Sequence, residues 1–391
     1  MTELFQDHIP LLKPWMGEEE VRAAAEVILS GWVSQGPRVI EFENAVAGYV
    51  GAKYAVATNA CTSALHLCLH VSGIAPGDEV ILPSFTCMAT ANAVHHAGGR
   101  PVFAEIDPRT YNLDPAAVAE AITPKTRAIL VVHQIGLPAD VDAFMAIARK
   151  RHLALVEDGA CSLGATYKGR RVGALGAPTC FSFHPRKMIT TGEGGMITTD
   201  DEELAGKARV LRAAGASISD LERHKAMGVL VQQYEEVGYN YRMTDIQAAI
   251  GMVQLGKVHV MLEQRRLQAR RYDEALARIE EIEPPYVPEY ATHAYTSYLL
   301  RLRAGCPIGR DQLLRSMAEK SISCRVGIQP LHREPYYREA CGGMRLPVTE
   351  EAARSTLFLP IFPGLTEEQQ DRIIRALEDG LTVRRCREGL R

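Results

Sequence analysis

AILVVHQIGLPADVDAFMAIARKRHLALVED, residues 128–158, is the stretch whose reading decides the fold. Two short apolar runs, 128–132 and 153–156, bracket a helical stretch at 141–151. Short apolar runs alternating with helices are the pattern of parallel strands joined by crossovers, buried on both faces. Upstream the alternation continues. Runs at 54–57, 79–82 and 101–104 alternate with helical stretches at 62–71, 89–97 and 115–121. Helices covering both faces of such a sheet predict an α/β domain. Nearer the N-terminus, residues 18–29 carry Val21, Ala24, Ala25 and Ile28 at helical spacing. Residues 37–50 read as a second helix opened by a proline.

After Phe183 the pattern changes. GEGGMITTDD sets a glycine-rich turn before a short strand, and 202–214 reads as a helix. Residues 216–236 are polar and weakly periodic, and read as a mobile loop. Residues 243–276 form a helical segment long enough to join two domains. A strand at 298–302, a helix at 310–318, a strand at 322–326 and a helix at 367–377 predict a small α+β unit. The expected division is a large α/β domain over 1–255 and a small C-terminal α+β domain over 256–391.

Bulk properties exclude several classes. Of 391 residues, 47% are hydrophobic and 23% charged, an ordinary globular balance. A net charge of -3 gives no basic field for nucleic acid. No apolar run is long enough for a membrane span. The acidic, proline-broken start MTELFQDHIPLLKPW is unlike a signal peptide. Nine scattered cysteines without a CxxC pair predict reduced thiols in the cytoplasm. The basic tail VRRCREGLR reads as a solvated terminus.

Ligands of open parallel sheets sit beyond the carboxyl ends of the strands. The polar residues that follow the predicted strands are therefore the candidates. Asp158 ends LALVED, and a carboxylate there needs a partner, whether a ligand, a helix end or a base. Glu157 beside it points to the other side of the strand. In FSFHPRKMITTGEGG, residues 181–195, Ser182 and His184 leave a strand on one side, and Lys187 follows. A lysine held at the strand ends is expected to be desolvated, with a lowered pKa and a nucleophilic amine. Gly192, Gly194 and Gly195 point to a close backbone approach. In NACTSAL, residues 59–65, small residues open a helix whose free N–H groups suit an anion, with hydroxyls on Thr62 and Ser63. Simple N-capping is the alternative for these hydroxyls. A phosphate cradle, an acid and a lysine at one sheet edge are the parts pyridoxal 5′-phosphate (PLP) needs, the acid for its ring nitrogen and the lysine for its aldehyde.

Other motifs fail. His66 and His70 in HLCLH lack the glutamate of a metalloprotease helix, and no metal site is expected. GEGGMI precedes a strand rather than following one, against a nicotinamide site. No GxSxG elbow is present.

Seven segments resemble the DegT/StrS-type family of PLP-dependent sugar aminotransferases of fold-type I. They are SGWVSQGPRVIEFE, CTSALHL, GDEVILPSFTCMATANAV, PVFAEIDPRTYNLDP, LVEDGACSLGATYKGRRVG, FSFHPRKMITTGEGGMITTDD and VGYNYRMTDIQAAIG. The resemblance runs nearly the full length. It implies a fold-type I PLP-transferase, with a mostly parallel central sheet flanked by helices and a smaller α+β C-terminal domain. Lys187 would carry PLP as a Schiff base and shuttle protons, and Asp158 would pair with the pyridine nitrogen. Thr62, Ser63 and Ser182 would hold the phosphate. Asn240 would reach the cofactor of a neighbouring subunit, with Arg242 close by, which implies a homodimer with shared sites. Trp32, Ser34 and Gln35 fall in the family's early substrate-side loop, and His332 in GIQPLHREPYY falls near the sugar.

Two positions depart from the family. Cys161 stands where Gln or His is usual, and Cys87 where an aromatic often stacks, so thiols are expected to line the cofactor. The implied activity moves an amino group from L-glutamate to a nucleotide-linked keto-sugar, of 4-keto-6-deoxy type, by a ping-pong scheme. A keto-cyclitol acceptor and a non-catalytic regulator on the same scaffold are the alternatives. Relatives that dehydrate carry a histidine in place of the lysine, which Lys187 speaks against.

Overall fold

A computed structural model describes residues 7–216, 218, 231–234 and 236–382. Most of the loop predicted at 216–236, and the basic tail from residue 383, lie outside the described residues.

The predicted alternation becomes a seven-stranded sheet. Its strands are β1 (Tyr54–Thr58), β2 (Glu79–Pro83), β3 (Arg100–Ala104), β4 (Thr126–Val132), β5 (Ala154–Asp158), β8 (Thr179–Ser182) and β9 (Gly195–Thr199). Two-residue strands β6 (Thr166–Tyr167) and β7 (Arg170–Arg171) form a separate hairpin between β5 and β8. Spatial order in the main sheet is β1-β9-β8-β5-β4-β2-β3. β9 alone runs antiparallel to its neighbours. The mostly parallel sheet of the expected fold class is therefore present.

Side-chain alternation explains why these runs are apolar throughout. Ala128 and Leu130 of β4 enter one core, while Ile129 and Val131 enter another on the opposite face. The first core packs α3 (Cys61–Val71), α4 (Met88–His96) and α7 (Glu202–Arg212) on the sheet. The second face carries α5 (Pro115–Ala121) and α6 (Val141–Arg151), and α2 (Pro37–Val50) covers a neighbouring stretch of the sheet. Each fully buried Leu or Ile contributes about 1.5–3 kcal/mol.

A 32-residue helix, Asp245–Leu276, starts at a capping box formed by Thr244 and Gln247. Its first half packs Ala248, Val258 and Met261 under the large sheet. Its second half packs Ala269, Tyr272 and Leu276 into a different core. That core underlies an antiparallel four-stranded sheet of β10 (Ile282–Glu283), β12 (Tyr298–Leu302), β13 (Arg325–Val326) and β14 (Thr356–Leu359), in the order β10-β12-β14-β13. The short β11 (Ala291–Thr292) pairs instead with β6. The expected domain boundary at 255/256 thus falls inside one uninterrupted helix. The N-terminal arm also crosses it, since Ile9 bridges Ile322 and lies in the core of the small sheet.

The strand expected at 322–326 is shorter because its first residues pair with that arm. Sequence reading missed the helices Pro335–Ala340 and Pro347–Ser355 and the strand β14 that follows without a turn. Four residues directly after a helix carry too little periodicity to read.

Candidate active site

β5 delivers Asp158 to the carboxyl edge of the sheet, where it is 5% exposed. Its Oδ2 accepts the Thr90 hydroxyl at 2.8 Å, and Thr90 lies 3.0 Å from the Thr86 hydroxyl. Oδ1 accepts the Ala160 N–H at 3.1 Å. Thr86 and Thr90 come from PSFTCMATAN and were not singled out in the sequence, although the buried carboxylate called for such donors.

Glu157 points to the opposite side, as strand alternation requires. Its Oε2 is 2.7 Å from Nε2 of His133, and both side chains are fully buried. The Ala139 N–H donates to Nδ1 of His133 at 3.1 Å, so Nε2 carries the proton given to Glu157.

Lys187 follows β8, and its Nζ lies 3.1 Å from Sγ of Cys161. Burial pulls the amine pKa down, but Cys161 and then Asp158 outweigh it, so the net shift is upward. This corrects the expectation of a lowered pKa. Desolvation is present, but two groups that favour the ammonium sit within reach.

Lys187, Asp158, Cys87 and Cys161 line one cavity of about 570 Å³, a size that suits a small cofactor with its substrate. The two thiols do line it, as the departures from the family pattern implied. Much of the opposite wall comes from the small unit, through Thr296, Ser297, Ile328, Gln329, Glu334 and Phe358. None of these carried a sequence signal. Nor did Arg186, which also lines the cavity.

Thr62, Ser63 and Ser182 lie beside this cavity rather than in its lining. Gly195 of β9 is registered opposite both Ser182 and Thr58. A Cβ at Gly195 would lie 2.5 Å from the Ala60 carbonyl carbon and 2.6 Å from the Cys61 nitrogen. The close approach predicted from the glycines is therefore between β9 and the start of α3. No side chain caps α3 at Ala60, which leaves its first turn suited to an anion. The Ser63 hydroxyl is already donated to Asn59 Oδ1 at 2.7 Å.

Asn240 is exposed, and its carbonyl accepts the Asn59 side-chain N–H at 3.3 Å. Asn59 also donates its backbone N–H to Tyr241 at 2.8 Å. The Asn240 segment, with the half-buried Arg242, thus lies beside the α3 terminus of its own chain and outside the cavity lining.

Three expected substrate residues sit elsewhere. Trp32 donates Nε1–H to the Gln35 carbonyl at 3.2 Å and covers Gly36, where a Cβ would meet the indole. The Ser34 carbonyl accepts the Asp245 N–H at 3.0 Å. The Asp245 carboxylate in turn accepts the N–H groups of Gly36, Arg38 and Val39 at the start of α2. This loop is outside the cavity lining.

His332 is 2% exposed, and both ring nitrogens are engaged. Nδ1 is 2.7 Å from the Ser84 hydroxyl, and Nε2 is 3.2 Å from Glu350. His332 lies outside the cavity lining, with its ring engaged by its own chain. The ring is a buried strut with no free polar atom.

The residues fit PLP. An amine and a hydrogen-bonded carboxylate share one cavity, and beside it a helix terminus is packed so tightly on β9 that only glycine fits.

Comparison with known proteins agrees. The profile of the DegT/DnrJ/EryC1/StrS aminotransferase family matches residues 14–378. The spore coat polysaccharide biosynthesis protein SpsC of Bacillus subtilis is 40% identical over 385 residues, spanning 97% of this chain and 98% of its own. GDP-perosamine synthase of Caulobacter vibrioides is 41% identical over 375 residues, spanning 95% and 98%. The solved structure of Spr1654 from Streptococcus pneumoniae in its PLP form has a TM-score of 0.88 at 28% identity, and the match covers 96% of this chain and 98% of that one. By profile, by relatives and by the fold around Lys187, this chain belongs to the DegT/DnrJ/EryC1/StrS family of PLP-dependent sugar aminotransferases.

Proposed function

We propose that this enzyme moves an amino group from L-glutamate to a nucleotide-linked keto-sugar of 4-keto-6-deoxy type, in two half-reactions of a ping-pong cycle. The observation that carries this reading is that Lys187 and Asp158 share one cavity with room for both a cofactor and a sugar. Support for a nucleotide-linked substrate comes from a relative named for a GDP-linked product.

PLP, when bound, supplies an electrophilic carbon for the amino nitrogen and a ring that stores electrons as a proton leaves. Lys187 holds the cofactor and moves that proton between carbons through Nζ. Asp158 holds its charge against the ring nitrogen, and Thr90 and Ala160 keep its carboxylate oriented. Thr62, Ser182 and the first turn of α3, where Ser63 contributes its backbone N–H, hold the phosphate. In a homodimer, Asn240 and Arg242 serve the partner's site. Neutral Thr296, Ser297 and Gln329 suit sugar hydroxyls.

Mixing the protein with PLP tests the assignment. Wild type is expected to develop the absorbance of lysine-bound PLP and to release 2-oxoglutarate from L-glutamate when a nucleotide-linked 4-keto sugar is added. A Lys187→Ala variant that keeps the absorbance refutes the lysine. Turnover with a keto-cyclitol and not with the nucleotide sugar refutes the acceptor.

A further inference from the structure

Arg186 stands beside Lys187 in the chain and lines the same cavity. Its backbone N–H donates to Nδ1 of His184 at 3.2 Å, which helps set the turn. Arg186 is an exposed residue, and its guanidinium makes no hydrogen bond or ion pair with any described residue. An arginine lining a cavity with all its donors unspent suits a ligand anion.

The other ionisable groups of the cavity narrow the choice. Asp158 and Glu334 are acids. His133 is tied to Glu157. Lys187 is committed to the cofactor. Within its own chain, Arg186 is therefore the one lining cation, among the described residues, left for a substrate.

We propose that Arg186 anchors the α-carboxylate of the amino donor. This rests on the donor half of the function proposed above. In an amino acid, the carboxylate and the amino nitrogen share one carbon. Wherever that nitrogen meets the cofactor beside Lys187, the carboxylate lies two bonds from it. The diphosphate of a 4-keto nucleotide sugar lies across the sugar ring from its ketone. Arg186 lines the same cavity as Lys187 and is the cation that cavity offers to the nearer anion. A guanidinium also matches a carboxylate with two parallel hydrogen bonds, which an ammonium does not. Its exposure lets it meet the donor as it enters, and a positive mouth raises the capture rate at low salt.

The test uses the PLP-loaded enzyme and separates the half-reactions. L-Glutamate is added without acceptor, and the spectral change gives an apparent Kd and a limiting rate. Arg186→Gln is expected to weaken glutamate binding about ten- to hundredfold, the usual range for one charge-assisted pair. The limiting rate should change little. Arg186→Lys should recover part of the loss. Calorimetric binding of maleate, a dicarboxylate without an amine to transfer, should fall by a similar factor. KM for the nucleotide keto-sugar should stay as in wild type.

Unchanged glutamate and maleate binding in Arg186→Gln overturns the assignment. So does a loss confined to the nucleotide sugar, which would place the guanidinium on the diphosphate. If wild type releases no 2-oxoglutarate from glutamate, the donor reading itself fails. Maleate binding still reports on Arg186 in that case, which keeps the two failures distinct.

Discussion

Nζ of Lys187 lies 3.1 Å from Sγ of Cys161, with the Asp158 carboxylate as the next group that favours the ammonium. Burial alone would lower the amine pKa, and these two neighbours reverse the sign. Removing the thiol removes the larger of the two opposing effects. Cys161→Ala should therefore lower the Lys187 pKa and raise the fraction of free amine at neutral pH. Capture of PLP by cofactor-free protein, followed by absorbance against pH, should shift to lower pH in the variant. An unmoved profile would show that the thiol does not set the lysine's charge.

Asp158 accepts from Thr90 and from the Ala160 N–H, so an asparagine can keep much of this geometry while losing the charge. Asp158→Asn should still take up PLP through Lys187. Its turnover should fall by about a hundredfold or more, the scale expected for losing one preorganised electrostatic contact. Thr90→Val should produce a smaller fall of the same kind. Near-normal turnover in Asp158→Asn would remove the carboxylate from its assigned role.

Gly195 has the carbonyl group of Ala60 and the Cys61 nitrogen where a side chain would begin. Backbone cannot swing aside as a side-chain tip can. Gly195→Ala should cost about 1–3 kcal/mol of stability by overpacking. It should also weaken PLP binding by displacing the start of α3. Melting curves with and without PLP check both parts. A variant with unchanged melting temperature and cofactor affinity would show that α3 can move without consequence.

Glu350 links His332 to Arg333, and its carboxylate also accepts the Leu346 N–H. Burial raises its pKa, but Arg333, His332 and that N–H lower it further, to about 2. A carboxylate lowered in the folded state stabilises the fold above its ordinary pKa of 4.5 and loses that effect as pH falls towards about 2. Glu350→Gln should therefore melt lower than wild type at neutral pH, and the gap should close over that acid window. His332 has the opposite environment, since burial lowers its pKa more than Glu350 raises it, so it stays neutral at neutral pH. His332→Gln should lower the melting temperature and leave the substrate KM unchanged. A large change in KM with intact stability would return His332 to the substrate site.

Much of the large sheet was legible from residues 54–158, because a strand buried on both faces must be apolar along its length. The helices 37–50, 115–121 and 141–151 were read to the residue, since prolines or polar turns mark their starts. The small unit was legible only in part. β13 and β14 have two and four residues, too few to show a period of two. Lys187 and Asp158 were legible as a pair because an acid, a lysine and a helix start fall at the same edge of one predicted sheet, although each alone has ordinary structural uses. Thr90, Arg186, Gln329 and Glu334 were not found, because a threonine on a helix or a charged residue in a loop has many.

The sequence by itself determined the strands of the large sheet between residues 54 and 158, their alternation with helices, and which lysine and acid end up at the sheet edge. These follow from local periodicity and from the cost of burying a charge without a partner. Tertiary structure alone decided that the small unit walls the cavity, that His332 is a strut, and that Cys161 rests against the lysine. Each of those depends on contacts between residues far apart in the chain, such as Ser84 with His332 and Cys161 with Thr296. No short-range pattern encodes such a distance, because only the packed layers bring those residues together.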